Sequence, residues 1–342
     1  MSQIAIIGAG AWGTALSIVL GRKETHNVRL WVYEKEVCES IAQQRVNEKF
    51  LPGQIIPACV TPCSDLAQAL EGSAIVVSVM PSHHCRRLFV QMWPHLRAET
   101  MIVSATKGLE ETSLLRMTEV IAQVCKSDAD GIQAPRIGAL SGPSFALEAA
   151  RGDPTAIAIA SRDKELARTV QQEFSHASFR IYTNEDPVGV ELGGALKNTI
   201  AIAAGVCAGL GLGHNSVAAL ITRGLAEMTR LVVACGGKAE TMAGLAGLGD
   251  LVLTCTGGLS RNRSVGVELG RGRKLPEIVA GMHGMVAEGI FTTTAAVGLA
   301  RARGVEMPIT EQMHLILHEG KAPRDAIYEL MTRSSKSETL RT

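Results

Sequence analysis

The feature that most constrains the fold is Gly8-Ala9-Gly10-Ala11-Trp12-Gly13, set between an apolar, β-branched run and a helix-like segment. Ile4-Ala5-Ile6-Ile7 reads as a buried strand, and Ala11 to Leu20 as the helix after it. Strand, turn and helix in that order are the context in which Gly-x-Gly-x-x-Gly binds a dinucleotide rather than merely making a turn. Gly8 allows the turn, Gly10 lets a pyrophosphate approach the backbone amides, and Gly13 allows close helix–sheet packing. The free amides and dipole at the helix start then hold the phosphates. Glu34 lies about 20 residues beyond Gly13, where an acid can meet a ribose 2′-hydroxyl. Tyr33 competes with it for the strand end, and Lys35 follows. This segment offers neither an unambiguous ribose acid nor an arginine for a 2′-phosphate, so the expected cofactor is NAD or NADP.

The pattern continues through the first half. Strand-like runs at Val28 to Val32, Ile75 to Val79, Met101 to Ser104, Ile137 to Leu140, Ala156 to Ala160 and Phe179 to Tyr182 alternate with helical patterns. The helical patterns include Lys35 to Gln44, Cys85 to Met92, Leu114 to Val124, Phe145 to Ala150 and Lys164 to Phe174. Such alternation predicts an α/β fold of Rossmann type, a mostly parallel sheet with helices on both faces. After Asp186-Pro187 the strands give out and long apolar helical segments take over, such as Val217 to Val233. The chain of 342 residues is thus expected to divide into a dinucleotide-binding domain, 1–187, and an all-helical substrate-binding and catalytic domain, 188–342, whose polar tail from Ser334 frays.

Composition removes several function classes. Lys plus Arg number 34 against 33 for Asp plus Glu, which leaves no general footprint for nucleic acid or anionic membrane. The longest apolar stretch, Thr199 to Gly213, is shorter than the ~20 residues a bilayer needs and reads as a buried helix, so no membrane insertion is expected. The eight cysteines are scattered without a Cys-x-x-Cys pair, as reduced thiols are. With no secretory signal at the start, a cytoplasmic location is expected. His314 and His318 have helical spacing but no third ligand nearby, so no metal site is expected. No Gly-x-Ser-x-Gly elbow supports serine hydrolase chemistry.

Four clusters carry the remaining chemistry. Lys107 follows the strand Met101 to Ser104 as a solvated cap or a ligand-binding cation. Ser141-Gly142-Pro143-Ser144-Phe145 turns into a helix, with Ser144 a plausible N-cap. Lys197 sits in Gly194-Ala195-Leu196-Lys197-Asn198 at the mouth of an apolar helix. It is either a snorkelling stem or a general acid–base group whose pKa is lowered by burial and a second ammonium such as Lys107. Asp250, flanked by apolar residues, needs partners if buried, and Lys197 is the obvious candidate. Ser260 looks like an N-cap, yet Arg261 and Arg263 load the first helical turn with positive charge against the dipole. A bound phosphate held by amides, Arg261 and Asn262 would resolve that conflict; a solvated basic turn is the alternative.

Taken together, the chain resembles the bacterial NAD(P)-dependent sn-glycerol-3-phosphate dehydrogenases almost end to end. The resemblance rests on the glycine loop, Asn47-Glu48-Lys49-Phe50-Leu51-Pro52-Gly53, Thr106-Lys107-Gly108-Leu109-Glu110, Ser141 to Ala146, Gly194 to Asn198, Gly247-Leu248-Gly249-Asp250-Leu251, Ser260-Arg261-Asn262 and Val286-Ala287-Glu288-Gly289. It implies that Lys197 is the proton acceptor, and that Lys107, Gly142, Ser144, Lys197, Asp250, Ser260, Arg261 and Asn262 bind a small phosphate substrate. It further implies cofactor contacts at Ala11, Trp12, Tyr33, Lys107, Ala146, Arg261, Val286 and Glu288, beside Gly8, Gly10 and Gly13. The implied reaction interconverts sn-glycerol 3-phosphate and dihydroxyacetone phosphate, supplying phospholipid synthesis, in a homodimer. Competing readings are another two-domain hydroxyacid or ketopantoate reductase and a non-catalytic dinucleotide sensor. A carboxylate substrate would not need the Ser260–Asn262 phosphate turn, and a sensor would not need the set Lys107, Lys197 and Asp250.

Overall fold

The computed structural model describes residues 2–125, 135–282, 284–335 and 337–338. The fraying expected of the tail therefore falls partly outside the described residues. The strands among them are β1 (Ser2–Ile7), β2 (His26–Trp31), β3 (Val46–Asn47), β4 (Leu51–Ile55), β5 (Val60–Cys63), β6 (Ile75–Ser78), β7 (Met101–Ser104), β8 (Arg136–Ser141), β9 (Thr155–Ala160) and β10 (Phe179–Asn184). Eight form one sheet in the order β10-β9-β8-β7-β6-β1-β2-β5, while β3 and β4 make a separate antiparallel hairpin. Within the large sheet only β8 and β9 pair antiparallel. The mostly parallel sheet expected from the alternation is present.

Side chains of β1 show why the strands read as continuous apolar runs. Ile4 and Ile6 join one core with Leu16 and Val19 of helix Ala11–Gly21, whereas Ala5 and Ile7 join the opposite core with Phe89 and Val120. Alternate residues of a strand face opposite sides, so a sheet covered on both faces needs apolar residues at every position. β1 and β6 are adjacent, and the chain leaves β1 toward β2 on one side and β6 toward β7 on the other. That switch point opens a crevice at the strand ends, into which the loops after β1 and β6 project.

Past β10 the regular elements among the described residues are all helices. Helix Pro187–Gly209 starts on Pro187 and is capped by Asp186, whose carboxylate accepts from Gly189 N at 2.9 Å. Apolar nearly all round, it is buried by its neighbours, although it is long and apolar enough to cross a membrane. A Cβ on Gly205 would lie 2.0 Å from the Arg263 carbonyl, and one on Gly266 would lie 1.9 Å from that of Ile202. Helix Arg261–Gly270 can pack backbone against backbone on the central helix only because both positions are glycine. This contact brings the basic turn at its start close to the middle of the central helix. All eight cysteines are free thiols.

Candidate active site

The central helix carries Lys197 into a nearly dry site, where it is 6% exposed. Its Nζ donates to the Thr254 hydroxyl at 2.6 Å and pairs with Asp250 Oδ1 at 2.9 Å. Asp250, 1% exposed, follows a π-helical turn (Leu245–Gly249) and opens helix Asp250–Thr256. Its other oxygen, Oδ2, accepts from Lys107 Nζ at 2.7 Å. Lys107 also donates to the Gly142 carbonyl at 2.9 Å and to Ser144 Oγ at 3.3 Å. Four separated segments thus meet in one network, whose central carboxylate has an ammonium on each side.

Counting donors separates the two lysines. An ammonium has three N–H groups. Those of Lys107 match its three acceptors, while Lys197 uses two and has no third acceptor among the described residues. Burial, with the Lys107 ammonium adding to it, lowers Lys197 to about 8 against the opposing pull of Asp250. Burial pushes the Asp250 carboxyl up, but the two ammoniums outweigh it and hold the group below its ordinary value. Lys197 is therefore poised to gain or lose a proton near neutral pH, beside a carboxylate that stays charged.

The basic turn lies next to this cluster. Ser260 caps helix Arg261–Gly270, its Oγ accepting from Arg263 N at 3.2 Å. Asn262 Nδ2 donates to Asn198 Oδ1 at 2.9 Å, and Asn262 Oδ1 accepts from Gly289 N at 3.0 Å. Asn198 is adjacent to Lys197, so this bond sets the Arg261 turn one residue from Lys197. Asn198 consequently orients the basic turn rather than Lys197 itself. Both polar ends of the Asn262 side chain are engaged, which leaves its backbone amide in the first turn for an anion. Arg261 is exposed, and its guanidinium makes no hydrogen bond or ion pair among the described residues. The protein around it lowers its pKa, with the Glu288 carboxylate opposing.

At the far end of the crevice, Gly8 has φ +118°, and a Cβ there would press on the Val79 carbonyl at 2.5 Å. A Cβ on Gly13 would meet the Gly8 carbonyl at 1.8 Å, whereas one on Gly10 would meet nothing within 4 Å. Among the described residues no side chain caps the following helix, which leaves the amides of its first turn for an anion beside the open space at Gly10. These residues fit a dinucleotide pyrophosphate. Ala11 and Trp12 start that helix, Tyr33 stands 71% exposed past β2, and Ala146 begins helix Ala146–Arg151. Val286 leads into helix Glu288–Arg303, whose first residue faces the loop after β6. There Glu288 accepts from Ser82 N at 3.0 Å and from Ser82 Oγ at 2.7 Å. Among the described residues, no three His, Cys, Asp or Glu side chains are placed to hold a metal.

The models of the NAD-dependent glycerol-3-phosphate dehydrogenase N-terminus and C-terminus match residues 3–167 and 186–328. The chain belongs to this family. A relative from Koribacter versatilis, named glycerol-3-phosphate dehydrogenase [NAD(P)+], is 68% identical over 99% of both chains. One of the same name from Acidobacterium capsulatum is 54% identical, over 99% of this chain and 100% of the relative. The crystal structure of a glycerol-3-phosphate dehydrogenase from Coxiella burnetii is 42% identical and superposes with a TM-score of 0.92, covering 97% of this chain and 99% of that one.

Three further residues of this dehydrogenase hold the site or its frame without a motif that marks them. Thr254, on Lys197, stands four residues after Asp250, a spacing that puts both on one helix face. Ser82 meets Glu288 across 206 residues with no local signal. Glu191 on the central helix accepts from Thr118 N at 2.8 Å and pairs with Arg116, fastening the helix to the sheet half.

Proposed function

We propose that this cleft interconverts sn-glycerol 3-phosphate and dihydroxyacetone phosphate with NAD(P)H, with Lys197 Nζ moving a proton to or from the C2 oxygen. The observation that carries this reading is the Lys107–Asp250–Lys197 cluster, one residue away from a basic turn whose Arg261 lacks an ion-pair partner among the described residues. When bound, the nicotinamide cofactor supplies the hydride chemistry. Gly8, Gly10, Ala11, Trp12 and Gly13 would hold its pyrophosphate, and Tyr33, Lys107, Ala146, Arg261, Val286 and Glu288 its remaining parts. Asp250 orients both ammoniums; Gly142 and Ser144 fix Lys107 so that its charge favours the neutral amine of Lys197. Ser260 stabilises the turn from which Arg261 and the Asn262 amide reach the substrate phosphate. We take residues 1–187 as the dinucleotide-binding domain and 188–342 as the catalytic one, in a cytoplasmic homodimer that supplies glycerol phosphate for phospholipids.

The phosphate should be the handle. Dihydroxyacetone phosphate should be reduced and dihydroxyacetone hardly at all. Arg261→Ala should lower kcat/KM by at least about tenfold, since losing a charged hydrogen bond costs about 1.5–3 kcal/mol. Equal turnover of the unphosphorylated ketone would rule out this substrate.

Both cofactors should work. The Tyr33-Glu34-Lys35 segment excludes neither ribose form, so kcat/KM for NADH and NADPH should agree within about a hundredfold. Titrating each at fixed dihydroxyacetone phosphate checks this, and no detectable rate with one of them refutes it.

A further inference from the structure

The hairpin β3–β4 stands apart from the main sheet, yet it is pinned to the dinucleotide loop. Asn47, fully buried, donates through Nδ2 to the Ala9 carbonyl and to the Thr14 hydroxyl, both at 2.8 Å. Its Oδ1 accepts from Phe50 N at 3.2 Å, which shapes the turn between the strands. Lys49 rides on that turn, with its Nζ 3.2 Å from Glu34 Oε1 and 4.9 Å from the centre of the Phe50 ring. Glu34 sits just past β2, the neighbour of β1, where a dinucleotide-binding fold meets the adenosine ribose. The hairpin therefore brings a cation to the place where β2 alone supplies an acid. Asn47 holds it in register with the glycine loop.

Resting on the dinucleotide reading of the cleft, we propose that Lys49 is a cofactor-specificity residue that lets one ribose site accept either a 2′-hydroxyl or a 2′-phosphate. With a 2′-hydroxyl, Glu34 accepts its hydrogen bond while Lys49 neutralises the acid. With a 2′-phosphate, the ammonium exchanges the Glu34 carboxylate for the phosphate. The exchange is easy because an exposed ion pair is held weakly, and both partners here are partly exposed. A phosphate monoester also carries more negative charge than a carboxylate and competes well for the same ammonium. Without Lys49, Glu34 would stand unneutralised and repel the phosphate. Lys35, on the next helix, and the exposed Tyr33 ring complete the rim.

The test uses fragments that carry the discriminating group without the nicotinamide. Calorimetric titration of the full-length protein with 2′,5′-ADP and with 5′-ADP measures the 2′-phosphate contribution directly. Lys49→Ala should weaken 2′,5′-ADP by about tenfold or more, the value of a charged hydrogen bond, and leave 5′-ADP within about threefold. Lys49→Arg should restore 2′,5′-ADP binding, and Glu34→Gln should tighten it. Kinetically, Lys49→Ala should lower kcat/KM for NADPH while NADH is nearly unchanged. Equal weakening of both fragments by Lys49→Ala, or no change in either, overturns the proposal. A parent protein that binds both fragments but does not reduce dihydroxyacetone phosphate would instead overturn the reaction assigned above, leaving the fragment comparison valid.

Discussion

Lys197→Met should leave a folded protein that still binds NADH and turns over about 10²–10⁴ times more slowly, the usual worth of a placed acid or base. Methionine matches the lysine stem in length and suits a helix that is otherwise apolar. The glycine loop belongs to the other half of the chain, so dinucleotide affinity should survive. The pH profile of the parent gives an independent check. With Lys197 lowered to about 8, kcat/KM for ketone reduction, which needs the ammonium, should fall as pH rises through that value. The reverse reaction, which needs the neutral amine, should rise over the same range. Circular dichroism and NADH binding establish that the variant is folded. A kcat within threefold of the parent would remove Lys197 from proton transfer.

Asp250→Ala should lower stability by about 3–5 kcal/mol at neutral pH, because it strands two largely buried ammoniums without their counter-charge. The sign of the pH dependence follows from the shifts. The native Asp250 carboxyl lies below its unfolded value, so its contribution is fully present above that unfolded value and is lost as pH falls through the native one. The gap between parent and variant should therefore close in acid. Lys197 is also lowered, and between about 8 and its unfolded value the unfolded chain holds more protons, so stability attributable to Lys197 increases with pH there. In the variant Lys197 loses the upward pull of Asp250, and this rise should begin at lower pH. Urea unfolding across the pH range measures both effects. A loss below about 1 kcal/mol at neutral pH would mean that the two ammoniums do not depend on Asp250.

Much of this molecule was readable from its sequence wherever the cause was local. The helices Lys35–Gln44, Cys85–Met92 and Lys164–Phe174 run where the periodicity placed them, and Ser260 caps its helix as its residue type suggested. The glycine loop was legible because each glycine answers a backbone demand a few residues away. The strands β3, β4 and β5 were not. β3 has only two residues, while Pro52 and Gly53 in β4 and Pro62 in β5 disguise a strand pattern.

The Rossmann-type sheet, the helical second half and the chemical types gathered in the cleft follow from the order of residues along the chain, since periodicity, turn chemistry and motif order are properties of neighbouring residues. That order left Lys197 divided between a snorkelling stem and an acid–base group. Only the fold shows that all three N–H groups of Lys107 have protein acceptors while Lys197 keeps one without an acceptor among the described residues, and that Asn198 steers the Arg261 turn. Only there do Ser82 and Glu288, 206 residues apart, become partners. Such pairings depend on the direction of side chains from elements packed far apart in sequence, and no local propensity encodes that direction.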